Sequence, residues 1–482
     1  MERIGSSLFD ENPLLRVIIN AGEMDISRHG HPLSHDVISS LGVSWQYRFH
    51  YSDDVRQNNN NSIQLDIIQY FSFLSFARAA YFIHLKGDTS DMTIKSKIRN
   101  TIHDNAERWV AMSLDIGAHP ELGHEEFRSS ALLADELERH GFTVERGTLD
   151  IPTAFVGTYD SGKPGPVAAF LCEYDALPEI GHACGHHIIG VMGVAAAVGL
   201  KSVIHETGGS IRVYGTPAEE TKGAKVTMAQ AGLFDDCSFA LMAHPYHAYE
   251  KSGKSLAMDA MQFEFYGKTA HAAANPHEGV NALDAVIALF NALNAMRQQV
   301  RSDARIHGII DAGGQAPNII PDYASAKFYF RSADRAYTNE LTQRAVRCAE
   351  GAALQTGCTL RTNAYEYSYD ELRTNETLSR LFTANLIEGG VPSDAIKSGK
   401  DNGSLDLGNV SVRCPAIHPY IQVVNEPFQL HTIEFRDAAM LPRAMEGLLF
   451  GAATLAATAY DVCADPALLR QVRDEFERGP SL

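Results

Sequence analysis

Three short segments that read as strands, each leading into a cluster of histidine, cysteine or glutamate, constrain this chain more than any other feature. Residues 166–172 run into EYDALPEIGHACGHH, residues 210–214 into GTPAEE, and residues 239–243 into HPYH. Runs this short, separated by helical stretches, predict strands in a β-α-β alternation and hence a mainly parallel sheet. Such sheets hold ligands beyond the carboxyl ends of their strands. The polar clusters therefore fall along one edge.

The clusters comprise His182, Cys184, His186 and His187 after the first run, Glu219 and Glu220 after the second, and His244 and His247 after the third. Thiolate, imidazole and carboxylate together form the zinc ligand set, and mixed shells of this kind occur in sites that keep an open position. Gly181 and Gly185 permit the tight turn that would aim Cys184 and His186 into one site. Taken singly, each residue has a plainer explanation. A cysteine is commonly a small buried hydrophobe, as expected for Cys172, Cys237, Cys348, Cys358, Cys414 and Cys463, and two adjacent glutamates commonly open a solvated helix. Those explanations would have to hold together at three successive strand ends, which favours a metal site. The glutamate pair then divides the work: one carboxylate ligates while its neighbour takes a proton from water whose pKa the metal has lowered to about 7. Metal-assisted hydrolysis follows as the reaction class, with amide, ester and deamination substrates all open. Zinc-dependent nucleobase deamination also requires a C-x-x-C pair, and this sequence has none.

Around this core the chain divides by texture. Residues 1–91, with the run Asn58 to Asn61 and aromatics between Tyr70 and Phe82, show no sustained period and read as an N-terminal extension of unknown structure. From Met92, Ile94, Ile98, Ile102, Ala106 and Trp109 recur at helical spacing, and a second helix is expected over 129–140. Residues 92–255 are thus the first part of a catalytic domain. Over 256–368 the rhythm becomes strand, helix, strand, strand, helix, strand, the split β-α-β order of a ferredoxin-like unit inserted into the first domain. Residues 369–470 return to α/β texture, with a strand expected over 415–424 and a closing helical region over 435–460, and 471–482 read as a C-terminal tail.

Composition narrows the class further. Lys and Arg number 41 against 59 Asp and Glu, a formal net charge of −18, which disfavours nucleic acid and anionic membranes as partners. Seven scattered cysteines indicate neither a disulfide framework nor a zinc ribbon, so a reducing compartment is expected. The apolar runs 188–200 and 448–460 are shorter than the ~18 residues of a membrane span, and no signal peptide is recognisable at residues 1–15. A cytoplasmic protein is expected. Inside the inserted unit, GKTAHAAANPHEG places His271 in a loop away from the sheet edge, where it would need domain closure or a second subunit to reach the metal. Arg331 could hold a substrate carboxylate, although surface arginine is the commoner case.

Together, CEYDALPEIGHACGHH, TPAEE, MAHPYH, GKTAHAAANPHEGVNALDA, APNIIPDYASAKFYFR, GSLDLGNVSVRCPAIHPYI and LHTIEF closely resemble the co-catalytic metallopeptidase family of aminoacylases, hippurate hydrolases and auxin-conjugate amidohydrolases. The nearest branch is similar to aminobenzoyl-glutamate hydrolase subunits and to dipeptidases that cleave β-alanyl-lysine or Xaa-Arg. The resemblance runs from about Ser113 to Ala457 and leaves residues 1–91 without a counterpart. It implies an α/β fold with a mainly parallel-sheet catalytic domain and an inserted ferredoxin-like lid that dimerises. It implies two Zn²⁺ or Mn²⁺ ions per subunit, with Cys184 as bridging thiolate and His186, Glu220, His244 and His431 as further ligands. Glu219 matches the general base, His271 the histidine that a partner's lid lends to the oxyanion, Asn318 and Arg331 lid positions near substrate, and Asp175 the acid supporting the metal shell. A small acyl amino acid or dipeptide is the implied substrate. His187 and Leu405 depart from the family pattern, and they motivate the alternative of a metal-binding but inactive relative that serves as a small-molecule binder or partner subunit. His418 competes with His431 as the last ligand, and the H-T-x-x-F context favours His431.

Overall fold

A computed structural model describes residues 93–399 and 401–479. The extension read over 1–91 lies outside the described residues. Thr93 caps the first helix, Ile94–Asp104, by accepting the Ser96 N–H at 3.2 Å, and Ile98 and Ile102 are buried one turn apart. The apolar period carries on to Trp109, but the helix does not. It breaks at Asn105, and Trp109 on the next helix, Ala106–Ala118, donates its indole N–H to the freed carbonyl of Ile102 at 3.1 Å.

The catalytic domain is built on a six-stranded sheet in the order Thr143–Arg146, Phe155–Asp160, Ser210–Gly215, Val167–Cys172, Phe239–Leu241, Ala416–Ile417. The last four are mutually parallel, and the first two add an antiparallel edge. The helix His186–Lys201 is buried from His186 to Leu200, all round its circumference, which is why it shows no amphipathic stripe. It is sandwiched between the sheet and the Pro442–Ala464 helix. That second helix is long and apolar enough to cross a membrane by length and composition, yet 67% of its apolar window is buried in this core.

Two expectations about the C-terminal part of the chain need correction. The strand expected over 415–424 is two strands: Ala416–Ile417 extends the main sheet beside Phe239–Leu241, while Tyr420–Gln422 pairs in parallel with His244–Tyr246 in a separate sheet. His418 and Pro419 separate them. Proline has no N–H to continue a ladder, and its carbonyl instead accepts the amide of His244 at 2.9 Å. The helical region expected over 435–460 is present as two helices, Ile433–Ala438 and Pro442–Ala464, the second opening with a proline in its first turn. The tail read over 471–482 is helical through Arg478. The helix Pro466–Arg478 is capped by Asp465, buries Val472, and takes the Asn375 side-chain amide on the Val472 carbonyl at 2.9 Å.

The inserted unit forms a four-stranded antiparallel sheet in the order Arg305–Ala312, Tyr323–Ser332, Ala257–Tyr266, Thr359–Ala364. Helices Ala282–Met296 and Arg335–Thr356 pack together and against it, burying Phe263, Phe265, Phe328, Phe330, Leu289 and Leu341. Asn281 and Asp334 cap them. The two chain crossings between the units run side by side: the Met258 amide donates to the Tyr369 carbonyl at 2.8 Å, and the reverse bond is 3.0 Å.

Candidate metal centre

Three loops meet at the carboxyl edge of the sheet, and each is held in shape by its own local chemistry. After Val167–Cys172, the chain turns through Gly185 at φ 79°, where a side chain would strike the Pro245 ring at 2.6 Å. Only glycine lets this turn press against the His244 strand. After Ser210–Gly215, Ala218 adopts φ 65°, a left-handed conformation that costs a non-glycine residue roughly 1–2 kcal/mol. The Ala218 N–H is satisfied by the buried Glu126 carboxylate at 2.9 Å. His431 also sits at positive φ, 63°, and its amide is tied to the Ala183 carbonyl beside Cys184 at 2.9 Å.

These loops bring together Cys184, His186 and His244; Cys184, Glu220 and His431; and His186, Glu219 and Glu220, with the candidate ligand atoms of each group within 4.8 Å of one another. The Cys184 Sγ lies 3.5 Å from His244 Nε2, and His431 Nε2 lies 3.2 Å from Glu220 Oε1. His186 donates Nδ1–H to Asp175 at 2.9 Å, which leaves Nε2 facing the cluster, buried and without a hydrogen-bond partner. Glu220 Oε1 is buried as well and makes no well-formed hydrogen bond, although His431 Nε2 faces it at 3.2 Å. Buried polar atoms are almost always satisfied; two that lack a well-formed bond, converging beside a thiol and two imidazoles, fit divalent metal ions. Asp175 does double duty, since its other oxygen accepts the Glu220 amide at 3.0 Å. One carboxylate thus orients two of the candidate ligands.

Electrostatics separate the two glutamates. Burial and the neighbouring charges of Glu173, Glu220 and Asp406 push the Glu219 carboxyl well above the usual carboxylate range. Burial also pushes Glu220 up, but His431 and His186 outweigh it and hold that carboxyl below its usual value. Burial, reinforced by His418 and His186, lowers His244 to about 3, so its imidazole is neutral and able to ligate.

His418 is buried beyond His244, with ring centroids 5.5 Å apart, and is absent from the ligand groups, whereas His431 is among them. His187 lies against the Ala439 carbonyl at 3.3 Å, and Leu405 packs into the core with Leu407 and Val410. Neither residue that motivated an inactive relative lies among the ligands. His247 bonds the Phe428 carbonyl. His271 and Asn318 are exposed in the lid: His271 Nδ1 accepts the amides of Ala273 and Ala274, and Asn318 offers its carbonyl to Ala272. Within the single chain they are not gathered with the metal cluster. Arg331 stacks over Tyr329 and donates to Ser404 at 2.9 Å, linking the lid to the second catalytic segment.

Sequence reasoning misses a buried ion cluster behind the ligands. Lys225, fully buried, bonds Glu173 at 2.7 Å and Asp406 at 2.6 Å, and the other oxygen of Glu173 is 3.5 Å from His186 Nε2. Glu173 stands two residues before Asp175 in CEYDALP, but nothing in a lone lysine on a short helix announces a buried cation. Glu126 escapes for the same reason.

A parallel-sheet domain with a Cys/His/Glu metal cluster at its carboxyl edge, a glutamate of raised pKa beside it, and an inserted ferredoxin-like lid defines a metal-dependent hydrolase of amide bonds. Residues 258–356 match the peptidase dimerisation domain family. The chain is 39% identical over 399 residues to Xaa-Arg dipeptidase of Mus musculus, covering 80% of this chain and 92% of the relative. It is 29% identical over 456 residues to a p-aminobenzoyl-glutamate hydrolase polypeptide of Escherichia coli, covering 79% of this chain and 94% of the relative. Among solved structures, a dinuclear metal-binding peptidase of the M20 family from Bacillus subtilis shares the fold, with a TM-score of 0.55 at 19% identity, covering 74% of this chain and 98% of that one. The chain belongs to the M20 family.

Proposed function

We propose that this enzyme hydrolyses the amide bond of a dipeptide or N-acyl amino acid, with preference for dipeptides carrying a cationic C-terminal residue. The observation that carries the chemistry is Glu219, a carboxylate gathered with His186 and Glu220 and pushed up in pKa by burial and by the neighbouring charges of Glu173, Glu220 and Asp406. The preference is supported by the relative named for Xaa-Arg cleavage and by the net charge of −18, which attracts cationic substrates.

Cys184, His186, Glu220, His244 and His431 would hold two divalent ions, zinc or manganese, with Cys184 belonging to two of the three ligand groups. When bound, the ions supply Lewis acidity that polarises the scissile carbonyl and acidifies water. Glu219 takes the proton from the attacking water and delivers it to the departing amine nitrogen, so a carboxyl with a raised pKa serves as base first and acid second. Asp175 keeps His186 and Glu220 aimed throughout. His271 is proposed to donate a hydrogen bond to the developing oxyanion from the lid of a second subunit, with Asn318 and Arg331 lining the substrate. The arrangement calls for a homodimer joined through the lid, a reading supported by the match of residues 258–356 to the peptidase dimerisation domain family. We place the enzyme in the cytoplasm, a setting suited to a thiol ligand and to the six other cysteines, which are all free.

The test is a substrate panel with zinc- or manganese-loaded protein: Xaa-Arg and Xaa-Lys dipeptides, neutral dipeptides, N-acyl amino acids and p-aminobenzoyl-glutamate. Higher kcat/KM on the cationic dipeptides supports the preference; equal or lower values reject it.

A further inference from the structure

We propose that Tyr369 is a positioning residue whose hydroxyl fastens the turn bearing Glu219 and Glu220 to the paired crossings by which the lid joins the catalytic domain. The Tyr369 O–H donates to the Thr221 carbonyl at 2.9 Å, shares that proton with the Glu219 carbonyl at 3.2 Å, and accepts the Gly223 N–H at 3.4 Å. One phenol therefore touches the backbone of the turn at three points, one of them Glu219, the proton-transferring residue itself. Glu126 holds the other side of the turn through the Ala218 amide.

The far end of Tyr369 is anchored in the lid crossings. Its backbone exchanges two hydrogen bonds with Met258, the second residue of the first lid strand. Arg335, first residue of the lid helix Arg335–Thr356, bonds the carbonyls of both Met258 and Tyr369 at 3.2 Å and pairs with Asp259 at 2.9 Å. The two crossings are thereby braced as one unit. Tyr369 is 5% exposed and clusters with Val226 and Met258, with Tyr329 of the lid strand packed alongside. Burial and the nearby charges of Asp406 and Glu219 raise its phenol far above the usual range, so it remains a donor.

Movement of the lid about these crossings displaces Tyr369, and Tyr369 carries the Glu219 turn with it. Misplacing a catalytic group by about 1 Å is enough to cost roughly 10²-fold in rate. Lid attitude and the aim of Glu219 are set together, in a link made by a single hydroxyl.

This inference rests on the reading of Glu219 as the group that moves the proton. Tyr369→Phe removes the hydroxyl and keeps the ring. The full-length enzyme and this variant are compared by kcat and KM on the best dipeptide, by metal content after loading, and by amide hydrogen exchange over residues 217–223. The expected result is a kcat reduced about 10–100-fold, with KM within about twofold, metal content unchanged, and faster exchange confined to 217–223 and the crossings. A kcat within twofold of wild type overturns the inference, as does a loss of activity matched by loss of metal. Tyr329→Phe, whose hydroxyl bonds Glu366 instead, leaves 217–223 exchange unchanged; equal acceleration there would show a nonspecific loosening and also overturn it. Exchange is read without substrate, so a wild-type enzyme that hydrolyses nothing on the panel refutes the functional reading while the clamp is still decided.

Discussion

Asp175 accepts the Nδ1 proton of His186 at 2.9 Å, and this bond fixes which imidazole nitrogen faces the metal cluster. Because the second oxygen of Asp175 holds the Glu220 amide, removing the carboxylate frees two ligands together. Asp175→Ala is expected to weaken metal affinity about 10–100-fold while leaving the far-ultraviolet circular dichroism unchanged. Competition against a chromophoric chelator measures it, and wild-type affinity would show that Asp175 orients neither ligand.

Lys225 is buried between Glu173 and Asp406 and has no water to fall back on. Lys225→Met fills similar space but removes the cation that the two buried carboxylates share, a change expected to cost about 3–5 kcal/mol. Urea unfolding of wild type and variant gives the difference. A variant of unchanged stability would mean that the two carboxylates share a proton rather than relying on the lysine.

The exposed position of His271 in the single chain makes a prediction about assembly. His271→Ala and Glu219→Gln proteins are each expected to be nearly inactive, yet mixed dimers regain activity, because one site in each then combines an intact Glu219 with an intact partner lid. Subunit exchange followed by assay reads this directly. If mixing restores nothing, each chain completes its own site.

Acid stability has a marked carboxylate at Glu136. Burial pushes that carboxyl up, but hydrogen bonds with His140, Arg139 and Arg108 outweigh it and hold it at about 2. Its unfolded value is about 4.3, so the native state keeps Glu136 ionised where the unfolded chain takes up a proton. The contribution is complete above the unfolded value and is lost as pH falls from there toward about 2. The stability gap between wild type and Glu136→Gln, followed by urea midpoint, is therefore expected to narrow as pH falls from 6 to 3. A gap constant with pH would contradict the assignment.

Much of the site is legible because its chemistry is local in sequence. Cys184 and His186 sit two residues apart, Glu219 and Glu220 are adjacent, and each cluster lies in the segment after a short strand. The lid is legible for a similar reason, its strands and helices being long enough to show their periods. What escapes are residues whose role depends on tertiary neighbours. Lys225 looks like any helix lysine until Asp406, 181 positions later, comes to 2.6 Å. Glu126 acquires meaning only under the Ala218 turn. The strand expected over 415–424 has the right composition, but Pro419 cannot donate a ladder bond and the chain changes sheets there. The helix at Pro466–Arg478 passes for a tail because charged residues dominate its sequence and only Val472 is fully buried, although Leu469, Val472 and Phe476 recur at helical spacing.

The central claim is that Glu219 moves the proton during metal-dependent amide hydrolysis, and release of arginine from an Xaa-Arg dipeptide by metal-loaded wild type and Glu219→Gln tests it most directly. The variant is expected to retain wild-type metal content and lose about 10²–10⁴-fold in kcat. A variant that turns over at the wild-type rate, with its metal in place, would contradict the account.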